Sequence, residues 1–328
     1  MRRFLLSLVT GLVCWCATAS AGWHEDTQPI MGTRVHVEFW LEDGDTRGPE
    51  LLERCMAEMR RIDDAFNPWK ETSELSRLNR DAPKGYTPVS AEMMHLLDES
   101  AAASKRSDGA FDITFASVGR YFDYRAGRVP TAEEKKAVEA INWRFVELDQ
   151  KSQRVRYAHP RTYVDLGGIA KGHAVDQVIG ILKEENITAA SVAAGGDSRI
   201  IGDRKGEPWT VGVRDPRKAD GVAVLLPLID TAVSTSGDYE RYFEKDGVRF
   251  HHILDPATGV SAKGSMSVTI IAPSATLSDA LSTTVFVMGP DKGLALINRM
   301  PGIDAIVITD TGKLLYSDSL MPLQPETP

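Results

Sequence analysis

Asp279 and Thr283 stand four residues apart in a stretch, Ser278 to Phe286, whose spacing predicts a helix, so both side-chain oxygens leave one face of it. A carboxylate paired with a hydroxyl is a hard-oxygen set of the kind magnesium takes. An Asp at that place is also the pattern of a first-turn acid or cap. His251-His252 followed by Asp255 sets a side chain that titrates near neutrality beside a turn, although surface and core histidines share that pattern. Trp69, directly after Pro68, offers a face on which a planar ring stacks, or a lid on the core.

The chain changes grammar in RTYVDLGGIAKGHAVDQV, residues 161–178. Thr162 to Leu166 reads as a short buried strand ending near Asp165, Gly167 and Gly168 break it, and Ile169 through Leu182 has helical apolar spacing. A glycine turn into a helix presents free backbone N–H groups at the positive end of the helix dipole, which suits an anion, and Lys171 lies in the first turn. The glycine spacing is neither a P-loop nor the dinucleotide fingerprint, and a plain strand-to-helix turn has the same composition. Gly195-Gly196 before Asp197 repeats the theme as a turn.

Several elements must position these groups. Thr33 to Trp40 alternates Val35, Val37 and Phe39 against Arg34, His36 and Glu38, a half-buried strand. Leu51 to Phe66 is spaced as a helix that stops at Asn67-Pro68, and Ser73 to Asn79 reads as a second, short one. Ser90 caps a helix to about Lys105 that Gly109 stops, and Thr131 with Glu134 forms a capping box for a helix to about Ile141. Phe145–Leu148 with Arg154–Tyr157 reads as a hairpin. Ala190–Ala194, short segments between Trp209 and Val233, Val248–Leu254, Ser267–Ala272 and a final hairpin of Ile303–Thr309 with Leu314–Tyr316 are expected strands. Ser234 to Gly237 reads as a polar turn, and Asp291 to Met300 as a helix. No repeat or linker divides this order of elements, so one globular α+β unit is expected.

The chain has 328 residues and a formal net charge of −8. Arg2 and Arg3 precede an apolar run from Phe4 to Ala17 and the small residues Ala19-Ser20-Ala21, the pattern of a cleavable secretory signal peptide over residues 1–21. Its removal takes two arginines and leaves a charge of −10. An acidic chain without a basic cluster argues against nucleic acid and anionic lipid as partners. Cys14 and Cys16 lie inside the leader without the context of a lipoprotein cleavage site, so soluble release to the periplasm is expected over an inner-membrane lipid anchor. Cys55 alone remains, and no intrachain disulfide can form.

Taken jointly, the motifs carry more than each alone. MGT at 31–33, FNPWKETSELSRLN at 66–79, GAFD at 109–112, DLGGIAKG at 165–172, AGGD at 194–197, STSGDYERYF at 234–243, HHILDPATG at 251–259 and SDALSTTVFVMG at 278–289 occur in that order. Together they resemble the ApbE family of FAD:protein FMN transferases across residues 22–321, with 322–328 left as a flexible C-terminal tail. The resemblance implies a single unit of mixed, largely antiparallel sheets flanked by helices. It implies flavin contacts at Met31, Trp69, Ala110, Phe111, Asp112, Asp165, Lys171 and Leu254. It also implies magnesium on the backbone of Gly168 and the side chains of Asp279 and Thr283, and it puts the histidine of the family's H-x-x-D-P motif at His252. Trp69 stands where the family commonly has tyrosine, and Ser282 where some members carry a further acid.

The activity so implied is magnesium-dependent transfer of the FMN part of FAD to a Thr or Ser hydroxyl of an acceptor flavoprotein, with AMP leaving. Acceptors with segments on the outer side of the inner membrane, such as respiratory electron-transfer subunits, are the expected partners. Two rivals share the residues: a magnesium-dependent pyrophosphatase that yields free FMN and AMP, and a non-catalytic flavin carrier, which would need neither the metal pair nor His252.

Overall fold

The computed structural model describes residues 20–218 and 221–321. Residues 1–19 of the expected leader and the expected tail at 322–328 lie outside the described residues. The organising element is an eight-stranded antiparallel sheet, in the spatial order Gly22–Ile30, Thr33–Leu41, Ala190–Ala194, Asp197–Ile201, Ala232–Gly237, Ser265–Ala272, Asp304–Thr309 and Leu314–Tyr316. The architecture is the expected α+β one.

One face of the sheet carries the helices. Val35, Val37, Phe39 and Leu41 alternate into the core as their spacing requires, beneath Leu51, Cys55, Met56, Met59 and Ile62 of the Gly48–Phe66 helix. The Ala170–Glu184 helix buries Ala174, Val175, Val178, Ile179 and Leu182 in the same cluster. The Ala275–Met288 helix packs against it and against the sheet, and is buried nearly all round. On the opposite face, a Trp209–Arg214/Val222–Leu228 hairpin lays Val213 and Leu226 over Ile306.

Several expectations change in the folded chain. Residues 162–166 form no strand; they run extended into the glycine turn, with Asn79 bridging the Val164 amide and carbonyl at 2.8 Å each. Side-chain hydrogen bonds thus do what a ladder would. Residues 234–237 are strand, not turn. The polar composition there has a packing reason: Ser234 and Ser236 face the Ala275–Met288 helix and meet Ser278 and Ser282 hydroxyl to hydroxyl at 2.7 and 2.8 Å, while Thr235 meets Thr269 across the sheet at 2.8 Å. The expected Val248–Leu254 strand breaks after His251, because Leu254-Asp255 pairs separately with Val260-Ser261. The capping box at Thr131 is present but opens only Ala132–Lys135, followed by a tighter turn of helix to Ala140. Gly22–Ile30, with its polar run His24-Glu25-Asp26, was not legible as a strand; it is an edge strand, and its pairing with Thr33–Leu41 is made by a tight turn.

Candidate active site

That tight turn is the first wall of the site. Met31 and Gly32 both take left-handed backbone, φ 56° and 67°, the geometry a two-residue hairpin loop demands and one a non-glycine residue adopts at a cost. It borders a cleft of about 1160 Å³, at or beyond the upper end of the usual range for small-ligand pockets. Met31, Trp69, Ala110, Phe111, Asp112, Asp165, Gly168, Lys171, His252, Leu254, Asp279 and Thr283 all line this one cleft. Residues separated by up to 252 positions in sequence are brought together because the sheet, the glycine turn and the two buried helices converge at its edge.

At the cleft floor the Ala170–Glu184 and Ala275–Met288 helices cross in close contact. The cap of the second helix is Ser274, whose hydroxyl accepts from the Leu277 amide at 3.3 Å, so Asp279 is neither its cap nor a first-turn acid. Instead one Asp279 carboxylate oxygen accepts from the Gly172 amide at 3.0 Å, and the other lies 3.9 Å from the Lys171 ammonium. Lys171 is ion-paired with the buried Asp197. Burial, with the Asp197 charge beside it, pushes the Asp279 carboxyl well above the usual carboxylate range, against the pull of Lys171 and the Gly172 N–H. For Lys171, burial works against the charge, but Asp197 and Asp279 outweigh it and raise the ammonium above its ordinary value.

Gly168 lies against the second helix. A Cβ there would sit 3.3 Å from both the Thr283 hydroxyl and the Phe111 ring, a tight contact that would make these neighbours give by a few tenths of an ångström. Thr283 is in turn 3.4 Å from the Ser236 hydroxyl. Gly168, Asp279 and Thr283 are therefore neighbours, and a set made of a backbone carbonyl, a carboxylate and a hydroxyl would fit magnesium better than a softer metal. Among the described residues no group of three or more His, Cys, Asp or Glu forms an alternative centre.

His251 and His252 part company. His251 is buried against Phe286, with Nε2 at 3.0 Å from the Ala262 carbonyl, and is structural. His252 faces the cleft, with its amide donating to the Arg241 carbonyl at 3.1 Å and Nδ1 without a protein partner. Its pKa is not near the ordinary histidine value: burial, then the charges of Arg241, His251 and Lys171, push it down to about 3. Asp255 does not orient the imidazole, since its carboxylate accepts from the Ala257 amide at 2.9 Å and the Thr258 hydroxyl at 3.2 Å and serves the turn.

The other acids are also committed. Asp112 accepts from the Thr114 amide and hydroxyl at 2.8 and 2.6 Å and from the Trp143 amide at 2.8 Å, so its carboxylate holds two loops at the cleft wall. Asp165 accepts from the Gly167 amide at 2.7 Å and is pushed upward by burial, against Gly167 and Arg241. Trp69 is 71% exposed and Phe111 is buried, and both border the cleft. Asp197 and Arg241 also reach the site, and the sequence reading leaves both without a role. The motifs AGGD and STSGDYERYF carried the signal, but only the fold shows which side chain of each turns inward.

The sequence profile of the ApbE family matches residues 31–307. The chain is 31% identical to the FAD:protein FMN transferase of Vibrio cholerae serotype O1, over 97% of this chain and 98% of that one, and 31% identical to the Haemophilus influenzae protein of the same name, over 98% and 99%. Among solved structures it superposes on the ApbE protein of Thermotoga maritima with a TM-score of 0.83 at 37% identity, covering 91% of this chain and 98% of that chain. The flavin transferase ApbE of Vibrio cholerae matches at 0.81 and 28%, with the same coverage.

Proposed function

The chain belongs to the ApbE family, and from that premise we propose that it is an FAD:protein FMN transferase that moves FMN from FAD to a Thr or Ser hydroxyl of an acceptor flavoprotein. The observation that carries the proposal is that Gly168, Asp279, Thr283 and His252, from three separate motifs, border one cleft with the aromatic residues Trp69 and Phe111.

Trp69 and Phe111 hold the isoalloxazine end by ring contact, with Met31, Ala110 and Leu254 around it. The acceptor hydroxyl attacks the FMN-side phosphorus: a new O–P bond forms, the pyrophosphate P–O bond breaks, and AMP leaves with the electron pair. His252, neutral in the cleft, takes the hydroxyl proton. A pyrophosphate anion beside it reverses part of the downward push on its pKa, because an opposite charge favours the imidazolium. Gly168, Asp279 and Thr283 are the groups that would hold magnesium, which when bound neutralises charge on phosphate oxygens. Its presence also gives Asp279 a reason to stay ionised despite burial.

The test is to incubate the protein with FAD, magnesium and a candidate acceptor domain and to weigh the acceptor. A mass gain of one FMN supports the transferase. FMN and AMP free in solution with an unchanged acceptor identify the pyrophosphatase, and bound, intact FAD identifies a carrier. We also propose export, with cleavage after Ala21 and release to the periplasm beside acceptors such as respiratory electron-transfer subunits. N-terminal sequencing of exported protein should read from Gly22; acylated Cys14 or Cys16 would overturn it.

A further inference from the structure

Five cations border the cleft, and the fold neutralises them unequally. Arg128 pairs with Glu134, and Arg120 lies between the rings of Tyr121 and Tyr163 at 4.9 and 4.7 Å. Lys171 is held between Asp197 and Asp279. Its ammonium is thus already shared between two carboxylates. Arg120, Arg125 and Arg241 are the three lining cations with no carboxylate partner among the described residues, and of these Arg120 is held by its two tyrosine rings. Arg125 sits on the exposed 123–128 turn at the cleft mouth.

Arg241 is exposed as well, but it borders the residues that converge at the cleft edge. Its carbonyl is fixed by the His252 amide at 3.1 Å. Its guanidinium lies over the Met31-Gly32 turn, where a Cβ on Gly32 would stand 3.5 Å from Nη2. Asp165, Lys171 and His252 all feel its charge, so it faces the glycine turn and the start of the Ala170–Glu184 helix. A planar, permanently charged fork with free donors in that position is built for phosphate oxygens.

We infer that Arg241 is the clamp for the pyrophosphate of the dinucleotide substrate, and that Lys171 serves instead as the internal counter-ion of Asp197 and Asp279. The inference rests on FAD being the substrate.

The experiment compares equilibrium binding of FAD and of riboflavin, which lacks phosphate, by flavin fluorescence in the presence of a chelator. Wild type should bind FAD more tightly than riboflavin. Arg241→Ala should weaken FAD roughly 10- to 100-fold, the worth of a charge-assisted hydrogen bond, and leave riboflavin unchanged. Arg241→Lys should recover part of the loss, and Arg125→Ala should behave as wild type. The inference is overturned if Arg241→Ala keeps FAD affinity, if it loses both flavins equally, or if Arg125→Ala loses FAD as much. Wild type that binds neither flavin would instead sink the functional reading on which the inference stands.

Discussion

Gly172 is the point at which stability and the candidate metal site meet, and replacing it by Ala tests both. A Cβ at Gly172 would stand 2.2 Å from the Ala275 carbonyl oxygen and 2.8 Å from the Asp279 Cβ, more than an ångström short of ordinary contact with backbone. The two helices must part. Overpacking of this kind costs about 1–3 kcal/mol. Parting also lengthens the 3.0 Å bond from the Gly172 amide to the Asp279 carboxylate, a buried bond to a charged group worth about 1.5–3 kcal/mol. Alanine's better helix propensity returns only ~0.5–1 kcal/mol, so the net expectation is a loss of roughly 2–5 kcal/mol. Gly180, on the same helix, is the control: no atom lies within 4 Å of a Cβ placed there, and Gly180→Ala should stabilise by ~0.5–1 kcal/mol. Urea unfolding followed by tryptophan fluorescence reads both variants. FMN transfer should fall in Gly172→Ala as Asp279 and Thr283 shift away from Gly168, and persist in Gly180→Ala. If the two substitutions shift the midpoint in the same direction, or Gly172→Ala stays within ~1 kcal/mol of wild type, the close helix crossing is not what the structure says it is.

His252→Ala should slow FMN transfer by ~10²–10⁴ while FAD affinity stays within a few fold; loss of binding with an unchanged single-turnover rate would make it a pocket residue and move the base elsewhere. Asp279→Ala should abolish turnover and leave flavin binding partly intact through Trp69 and Phe111, and a chelator should mimic it on wild type; full activity would put the metal elsewhere. Because His252 is pushed from 6.5 down to about 3 in the folded chain, the unfolded chain binds the extra proton between those values. The neutral folded histidine therefore costs nothing above pH 6.5, and stability is lost as the pH falls from 6.5 toward 3. Thermal melts across this range should show a shallower decline in His252→Gln, and an identical slope would mean the histidine is not desolvated. Burial pushes the Cys55 thiol up to about 12, so iodoacetamide should leave it unmodified in the native protein and alkylate it in urea, as peptide mapping would report.

Periodicity and capping chemistry made most of the helices legible, because those signals are local. Ser90 accepts the amide bond expected of a cap, and Val35, Val37 and Phe39 bury on the expected face. The residues named from the ordered motifs line one cleft, and of the two adjacent histidines only His252 is among them. What the chain alone could not decide were quantities that depend on partners distant in sequence. Whether Ser234 to Gly237 is turn or strand turns on hydroxyls of Ser278 and Ser282, some forty residues later. Thr162 to Leu166 had the composition of a strand, but Asn79 satisfies part of its backbone, so no ladder forms. A histidine pKa, a lysine's true counter-ions and the free charge of Arg241 are all set by burial and by which groups the fold brings near. Desolvation and Coulomb energy act through space and leave no trace in spacing along the chain.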